Sequence, residues 1–386
     1  MVKNMRTNRA VILSNFEQIL KKLISFETLS DSSTNLVMDW IEEYLFSCGC
    51  KVLRFPVGYN TKIENLYATV SDKKVGGICF SGHIDVVPPQ DKGWYTPPFE
   101  LHKKDNKLYG RGTVDMKSFI ALIMAMIPYW QSKNLKTPIH LALTCDEELG
   151  CKGVSYLTHQ MNLNNLKPDF VIVGEPTECI PVSSHKGGIK CTTVIHGISG
   201  HSSTPASAVN AIYYAMDYVN YLRQIQDQAI KNSDLGCSFD PPYTTYSVGQ
   251  IFGGTAVNIV PENCEFKWEV RVLPEQNPKV LIHDINSYML DYFQNIDPRI
   301  SFDTKINSSY PGLSAASNRN VVNFIQSLGS KVNPAVVSFG AEAGSYAQAG
   351  FSSILWGPGS IEEAHRPNEF IETSQIENYL NYLLNL

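Results

Sequence analysis

Three apolar runs constrain this chain more than anything else in it: VGGICF at 75–80, PIHLALTC at 138–145 and DFVIVG at 169–174. Each reads as a buried strand, and helix-like segments stand between and around them. Helix periodicity covers 11–28, 35–48, about 117–131 and about 152–160, and further strand signals fall at 51–55 and 65–70. Such alternation predicts an α/β sheet with helices on its faces. The run FIALIMAMIPYW at 119–130 falls short of the roughly 18 apolar residues a membrane span needs and carries a proline, so it reads as a buried helix.

The pattern changes after HKGG (185–188). Alternating, half-exposed strands are expected at 190–198, 243–254, 264–273 and 299–306, with helices from about Ala206 and over 280–294. That order, βαββαβ, is a split βαβ arrangement with helices on one face of an antiparallel sheet. It is complete in itself and is expected as an inserted α+β domain at 181–308, leaving 1–180 and 309–386 as one α/β domain. A length of 386 residues also favours two domains over one core.

Composition narrows the partners. With 43% hydrophobic residues, 18% charged, a net charge of −5 and no basic stripe, nucleic acid is an unsuitable ligand and a small polar molecule a better one. No signal-like apolar stretch opens the sequence, and the nine cysteines are odd in number, which predicts reduced thiols and a cytoplasmic protein.

The chemistry gathers at the strand ends. His83 and Asp85 follow the first apolar run, Asp146, Glu147 and Glu148 the second, and Glu175 the third. Ligands of open α/β sheets bind outside the carboxyl ends of the strands, so these loops face one crevice. Asp115, in the turn YGRGTVDMK just before the buried helix, and His365, in a late Gly/Pro loop, join them. Taken singly, each has a plainer use: a bonded loop histidine, a helix N-terminal acid, a turn residue. Five such segments brought to the strand ends of one sheet argue for a shared centre.

Two histidines with three or more carboxylates suit one divalent ion with three protein ligands, or two ions bridged by one carboxylate. The donor mixture fits zinc, and by ligand type cobalt or manganese. Asp85 is placed to accept the second ring N–H of His83. Adjacent side chains rarely both reach one ion, so with Glu148 as ligand Glu147 stays free to move a proton.

At these residues the sequence resembles the M20 metallopeptidase family. The motifs are GHIDVVPP (82–89), KLYGRGTVDMKSF (107–119), TCDEELGCKG (144–153), VGEPT (173–177), GISGHSSTP (197–205) and GPGSIEEAHRPNEF (357–370), in family order over essentially the whole chain. The resemblance implies a zinc-peptidase-like catalytic domain with a mixed sheet and a ferredoxin-like inserted domain acting as lid and dimerisation surface. It implies two Zn2+ (Co2+ able to substitute), with His83 and Glu175 on one ion, Glu148 and His365 on the other and Asp115 between them. It further implies Glu147 as general acid/base, Asp85 as the residue orienting His83, and a cis peptide after Asp115. His201 matches a histidine that relatives lend from the partner subunit to the oxyanion. Asn258 and Arg271 match positions that hold a substrate carboxylate, for which the arginine fork is suited.

Within the family, the stretches around His201, Glu342 and His365 are similar to the branch that deacetylates N2-acetyl-L-ornithine in arginine biosynthesis. Glu342 is the acid expected to meet a cationic substrate amine. Alternatives are a desuccinylase, aminoacylase or dipeptidase with the same chemistry, a catalytically silent amino-acid-binding protein, and a metal-free carboxylate-pair glycosidase.

Overall fold

The computed structural model describes residues 2–70, 73–90, 92–133, 135, 137–234 and 236–386, with side chains described from residue 8 onward except that of Ser317. The chain forms two compact units. The first comprises Met1–Ser184, Leu313–Ala335 and Ala341–Leu386, and the second His185–Gly312 with Val336–Gly340.

An eight-stranded sheet organises the first unit. Its order is Lys51–Val57, Asn60–Thr69, Ile139–Thr144, Ile78–His83, Phe170–Val173, Ser353–Leu355, Val182–His185 and Ala335–Val337. Ile139–Thr144, Ile78–His83, Phe170–Val173 and Ser353–Leu355 run parallel, while Lys51–Val57 and Asn60–Thr69 pair antiparallel, so the sheet is mixed. Every residue of Ile78–His83 and Ile139–Thr144 is buried, as expected of strands covered on both faces.

The strand expected at 75–80 is displaced: it runs from Ile78 to His83. Gly76 and Gly77 have φ of +82° and +79°, and a Cβ at Gly77 would lie 2.0 Å from the Pro138 carbonyl oxygen. The glycines therefore form the entering turn rather than the strand. His83 consequently sits on the last residue of a fully buried strand.

The helix Ser118–Ser132 lies behind that sheet. All of Ser118–Ile127 is buried, along with Trp130, whose ring stacks on Phe80 at a centroid distance of 5.6 Å. A helix apolar on all sides must be enclosed by protein or lipid. Here the helix Val2–Ile24, the sheet and the helix Thr373–Leu383 enclose it. Among the described residues no helix is long and apolar enough to cross a membrane.

The second unit is a four-stranded antiparallel sheet ordered Thr245–Gly253, Asn263–Val272, Gly187–His196, Ser301–Tyr310, with helices Ala211–Lys231 and Pro278–Ile296. Chain order is βαββαβ, and the first and third strands occupy the middle. Along Asn263–Val272 burial alternates, so that Cys264, Phe266, Trp268, Val270 and Val272 meet Tyr218, Met289 and Phe293 from the helices. The first helix starts at Ala211 rather than 206. Pro205–Ser207 makes a separate short turn, and the Asn210 side chain accepts the Ile212 N–H at 3.0 Å to cap the helix.

Chain exit and return are adjacent in the first unit. Ser184 Oγ donates to the Leu313 carbonyl at 2.6 Å, and Asn318 Nδ2 to that of Ser183 at 2.6 Å. All nine cysteines are free thiols.

Candidate metal centre

Register places the polar strand ends side by side. His83 pairs with Thr144 across the parallel ladder, and Ser81 pairs with Val173, so the loops bearing His83, Asp146–Glu148 and Glu175 leave neighbouring strands at nearly one level. Leu355 pairs with Val173 in turn, and the chain beyond it carries His365. The fourth contributor is the turn before the buried helix. There Gly112 takes φ +82°, where a Cβ would lie 2.7 Å from Val86 Cγ1, and the Asp115–Met116 peptide is cis.

The side chains converge on Asp115. His83 Nε2 lies 3.0 Å from Asp115 Oδ1, and His365 Nε2 lies 3.2 Å from Oδ2 and 2.9 Å from Glu148 Oε1. Donor atoms of His83, Asp115 and Glu175 all fall within 4.8 Å of one another, as do those of Asp115, Glu148 and His365. Two donors about 2.1 Å from a tetrahedral zinc stand roughly 3.4 Å apart, close to these separations. Among the described residues no lysine or arginine is ion-paired with Asp115, Glu148 or Glu175, so the two imidazoles alone answer these acids.

The charges are under corresponding stress. Burial pushes Glu175 well above the ordinary carboxyl range, with Asp115 adding to it. Burial likewise raises Glu147, to about 8, against the pull of His83, and the neighbouring Glu148 raises it further. Asp115 moves the other way: burial opposes its ionisation, but hydrogen bonds from His365 and His83 hold it below its usual value. Hydrogen bonds donated to Asp115 and Glu148 raise His365 to about 10. Imidazoles wedged between carboxylates gather protons at the sites where a divalent cation would displace them. The donor set therefore fits a pair of such ions.

Asp85 does more than the sequence suggested. His83 Nδ1 bonds the carbonyl oxygen of Asp85 at 2.9 Å, while the Asp85 carboxylate stands at 3.6 Å, beyond hydrogen-bonding range. That carboxylate instead accepts the backbone N–H of Glu147 at 3.1 Å, the N–H of Glu148 at 3.2 Å and the Ser30 hydroxyl at 2.8 Å. One residue thus fixes the histidine through its backbone and the acidic doublet through its side chain. Asp146, at φ +52°, pins the same loop by accepting from Tyr59 Oη at 2.5 Å and the Asp31 N–H at 2.7 Å. Neither Ser30 nor Tyr59 is marked in the sequence, because both act through distant loops.

Glu147 is half-buried and its Oε1 accepts from Cys151 Sγ at 3.2 Å. Glu342 is wholly enclosed: Oε2 accepts from Thr144 Oγ1 at 2.8 Å, Oε1 has no partner among the described residues, and burial raises its pKa to about 7. With no atom open to water, it is not presented for direct contact with a substrate amine as expected.

His201, Asn258 and Arg271 belong to the second unit. His201 is exposed on the short ribbon pairing Gly200–His201 with Ile259–Val260, and its Nδ1 lies 2.6 Å from Ser203 Oγ. Asn258 adjoins it, its carbonyl accepting the Ser202 N–H at 3.1 Å. Arg271 is half-buried rather than simply exposed. It donates to Tyr310 Oη and, at 3.3–3.4 Å, to the Glu269 carboxylate.

A parallel-strand edge carrying two histidine–carboxylate clusters around one shared aspartate defines the scaffold of a hydrolytic enzyme. The chain belongs to the peptidase family M20/M25/M40, whose pattern matches residues 79–386. It is 31% identical to an acetylornithine deacetylase of Pasteurella multocida over 373 residues, covering 95% of each chain. With one from Shigella sonnei it shares 34% over 355 residues, 91% of this chain and 89% of the other. Among solved structures, an M20 family metallo-carboxypeptidase from Sulfolobus solfataricus superposes with a TM-score of 0.76 at 17% identity, covering 96% of this chain and 98% of that one. The aminopeptidase PepT of Bacillus cereus gives 0.73 at 19%, covering 96% and 97%.

Proposed function

We propose that the chain is a zinc-dependent amide hydrolase that removes the acetyl group from N2-acetyl-L-ornithine, yielding acetate and L-ornithine for arginine biosynthesis. The observation that carries the chemistry is the convergence of His83, Glu148, Glu175 and His365 on the two oxygens of Asp115, with Glu147 alongside. Identity of 31–34% to acetylornithine deacetylases over 91–95% of the chain supports the substrate.

His83 and Glu175 would hold one zinc ion, Glu148 and His365 the other, with Asp115 shared; Co2+ would serve in their place. Bound ions would polarise the acyl carbonyl and acidify a water molecule. Glu147 takes a proton from the attacking water through its carboxylate and passes it to the amide nitrogen as the C–N bond breaks. Its raised affinity for protons suits both halves of that transfer. Asp85 keeps Glu147 and Glu148 in place through their backbone amides. His201, supplied across a homodimer built on the second unit, donates to the oxyanion that develops on the carbonyl oxygen. Asn258 and Arg271 hold the α-carboxylate. Glu342 favours a cationic side chain through its field.

Purified protein assayed on N2-acetylornithine, N-succinyl-diaminopimelate, N-acetylmethionine and a dipeptide, with and without added zinc, tests this reading. Zinc-dependent turnover with the highest kcat/KM on N2-acetylornithine is expected. Preference for the dipeptide or the succinyl compound would keep the chemistry and overturn the substrate.

A further inference from the structure

The aspartate shared by both clusters is gripped from behind by a pair that the proposed reaction does not use. Arg111 and Glu369 are each 1% exposed, and Arg111 Nη1 meets Glu369 Oε2 at 2.6 Å. The other oxygen, Glu369 Oε1, accepts the backbone N–H of Val114 at 2.9 Å and that of Asp115 at 3.3 Å. The Glu369 carbonyl accepts the Gly110 N–H at 3.0 Å. Glu369 thus bonds both ends of the 110–115 turn, and it stands four residues after His365. On the far side, the Arg111 guanidinium lies 5.4 Å from the Trp94 ring centroid, with Nε and Nη2 lacking partners among the described residues.

We propose that Glu369, paired with Arg111, is a positioning residue that sets the Asp115 backbone so that Oδ1 faces His83 while Oδ2 faces His365. A carboxylate beside a buried guanidinium is a strong, directional acceptor, and charge-assisted bonds of this kind fix geometry. Because the same residue belongs to the His365 loop, it also couples the position of that histidine to the aspartate it meets. A single turn tethered only by its own backbone bonds would leave the two oxygens free to swing to one side. Partners of this rank typically tune ligand geometry rather than touch the reacting atoms.

This inference rests on the two-ion reading, and the test separates the two. Full-length protein, stripped of metal, is titrated with Zn2+ by calorimetry, beside thermal unfolding and steady-state kinetics. Glu369→Gln is expected to weaken binding of the second ion about ten- to a hundredfold. Its kcat should fall more than its KM rises, and should recover as free zinc is increased. Arg111→Lys, which keeps the charge, should retain more of the affinity. If Glu369→Gln does not fold, Arg111→Met/Glu369→Gln removes both buried charges and is read the same way. Variants that melt earlier yet bind two zinc ions as tightly as the parent would overturn the proposal and leave the pair purely structural. A parent protein that takes up fewer than two ions would overturn the metal reading before any substitution is made.

Discussion

The two units treat charge in opposite ways. In the first, six carboxylates (Asp85, Asp115, Glu147, Glu148, Glu175 and Glu342) gather with His83 and His365 at and beside the carboxyl ends of buried strands, where neighbouring groups shift one another's protonation. In the second, Arg299 pairs with Asp297 in the turn after the second helix and His196 with Asp303 across two sheet strands, while the helix-covered face of the sheet is aromatic and aliphatic. Exposed pairs of that kind contribute little, and water replaces either partner. Buried acids of like charge are tolerated only where something compensates them, which is why such clusters mark functional sites. The contrast teaches that the chemistry resides in the first unit, where charge is buried and mutually compensated.

Metal removal should produce the largest effect. Turnover is expected to fall to background on treatment with EDTA and to return with Zn2+ or Co2+, followed as amine release beside metal analysis. Full activity in protein shown to be metal-free would break the contrast at its root. Next in size, Glu147→Gln should lower kcat by roughly 10²–10⁴-fold while leaving KM and zinc content near the parent values. Turnover equal to the parent would remove Glu147 from the reaction.

Substitutions in the second unit should do less. His201→Ala is expected to reduce kcat about a hundredfold through loss of one oxyanion donor. Mixing it with a Glu147→Gln variant would restore activity if the histidine crosses between subunits, and no recovery would place it elsewhere. Arg271→Ala should mainly raise KM, by about tenfold, with Arg271→Lys a poor substitute because a point charge does not reproduce the fork. An unchanged KM would mean that Glu269 and Tyr310 are the arginine's real partners.

A matched pair of glycines measures packing in the two units. A Cβ at Gly174 would lie 2.1 Å from the Phe119 ring, whereas one at Gly249 meets nothing within 4 Å. Gly174→Ala is expected to destabilise by about 1–3 kcal/mol in thermal or denaturant unfolding. Gly249→Ala should change stability by less than about 1 kcal/mol, in the favourable direction. Equal effects would contradict the difference in packing.

Much of this was legible because buried strands announce themselves as unbroken apolar runs, and the residues following them must then lie at one edge. His83, Glu147, Glu148 and Glu175 were found that way. The sharing of Asp115 between two histidines was not; it came from family likeness, since no spacing in one chain says which carboxylate stands between two others. Least visible were bonds to backbone amides. Asp85 reaches the N–H groups of residues 147 and 148, and Glu369 those of residues 114 and 115, contacts made by folding over 62 and 255 positions that leave no local pattern. The enclosure of Glu342 was hidden for a related reason: its cover is supplied by other segments of the first unit.

The hydrogen bond from Ser184 to Leu313 closes the first unit on itself at the point where the chain departs. A short linker in place of His185–Gly312 would remove most of the second unit and leave Ile78–His83, Ile139–Thr144 and Phe170–Val173 in the chain. Nature has the same freedom: a long insertion that leaves and re-enters between neighbouring residues can be lengthened or reshaped while the strands around it keep their order.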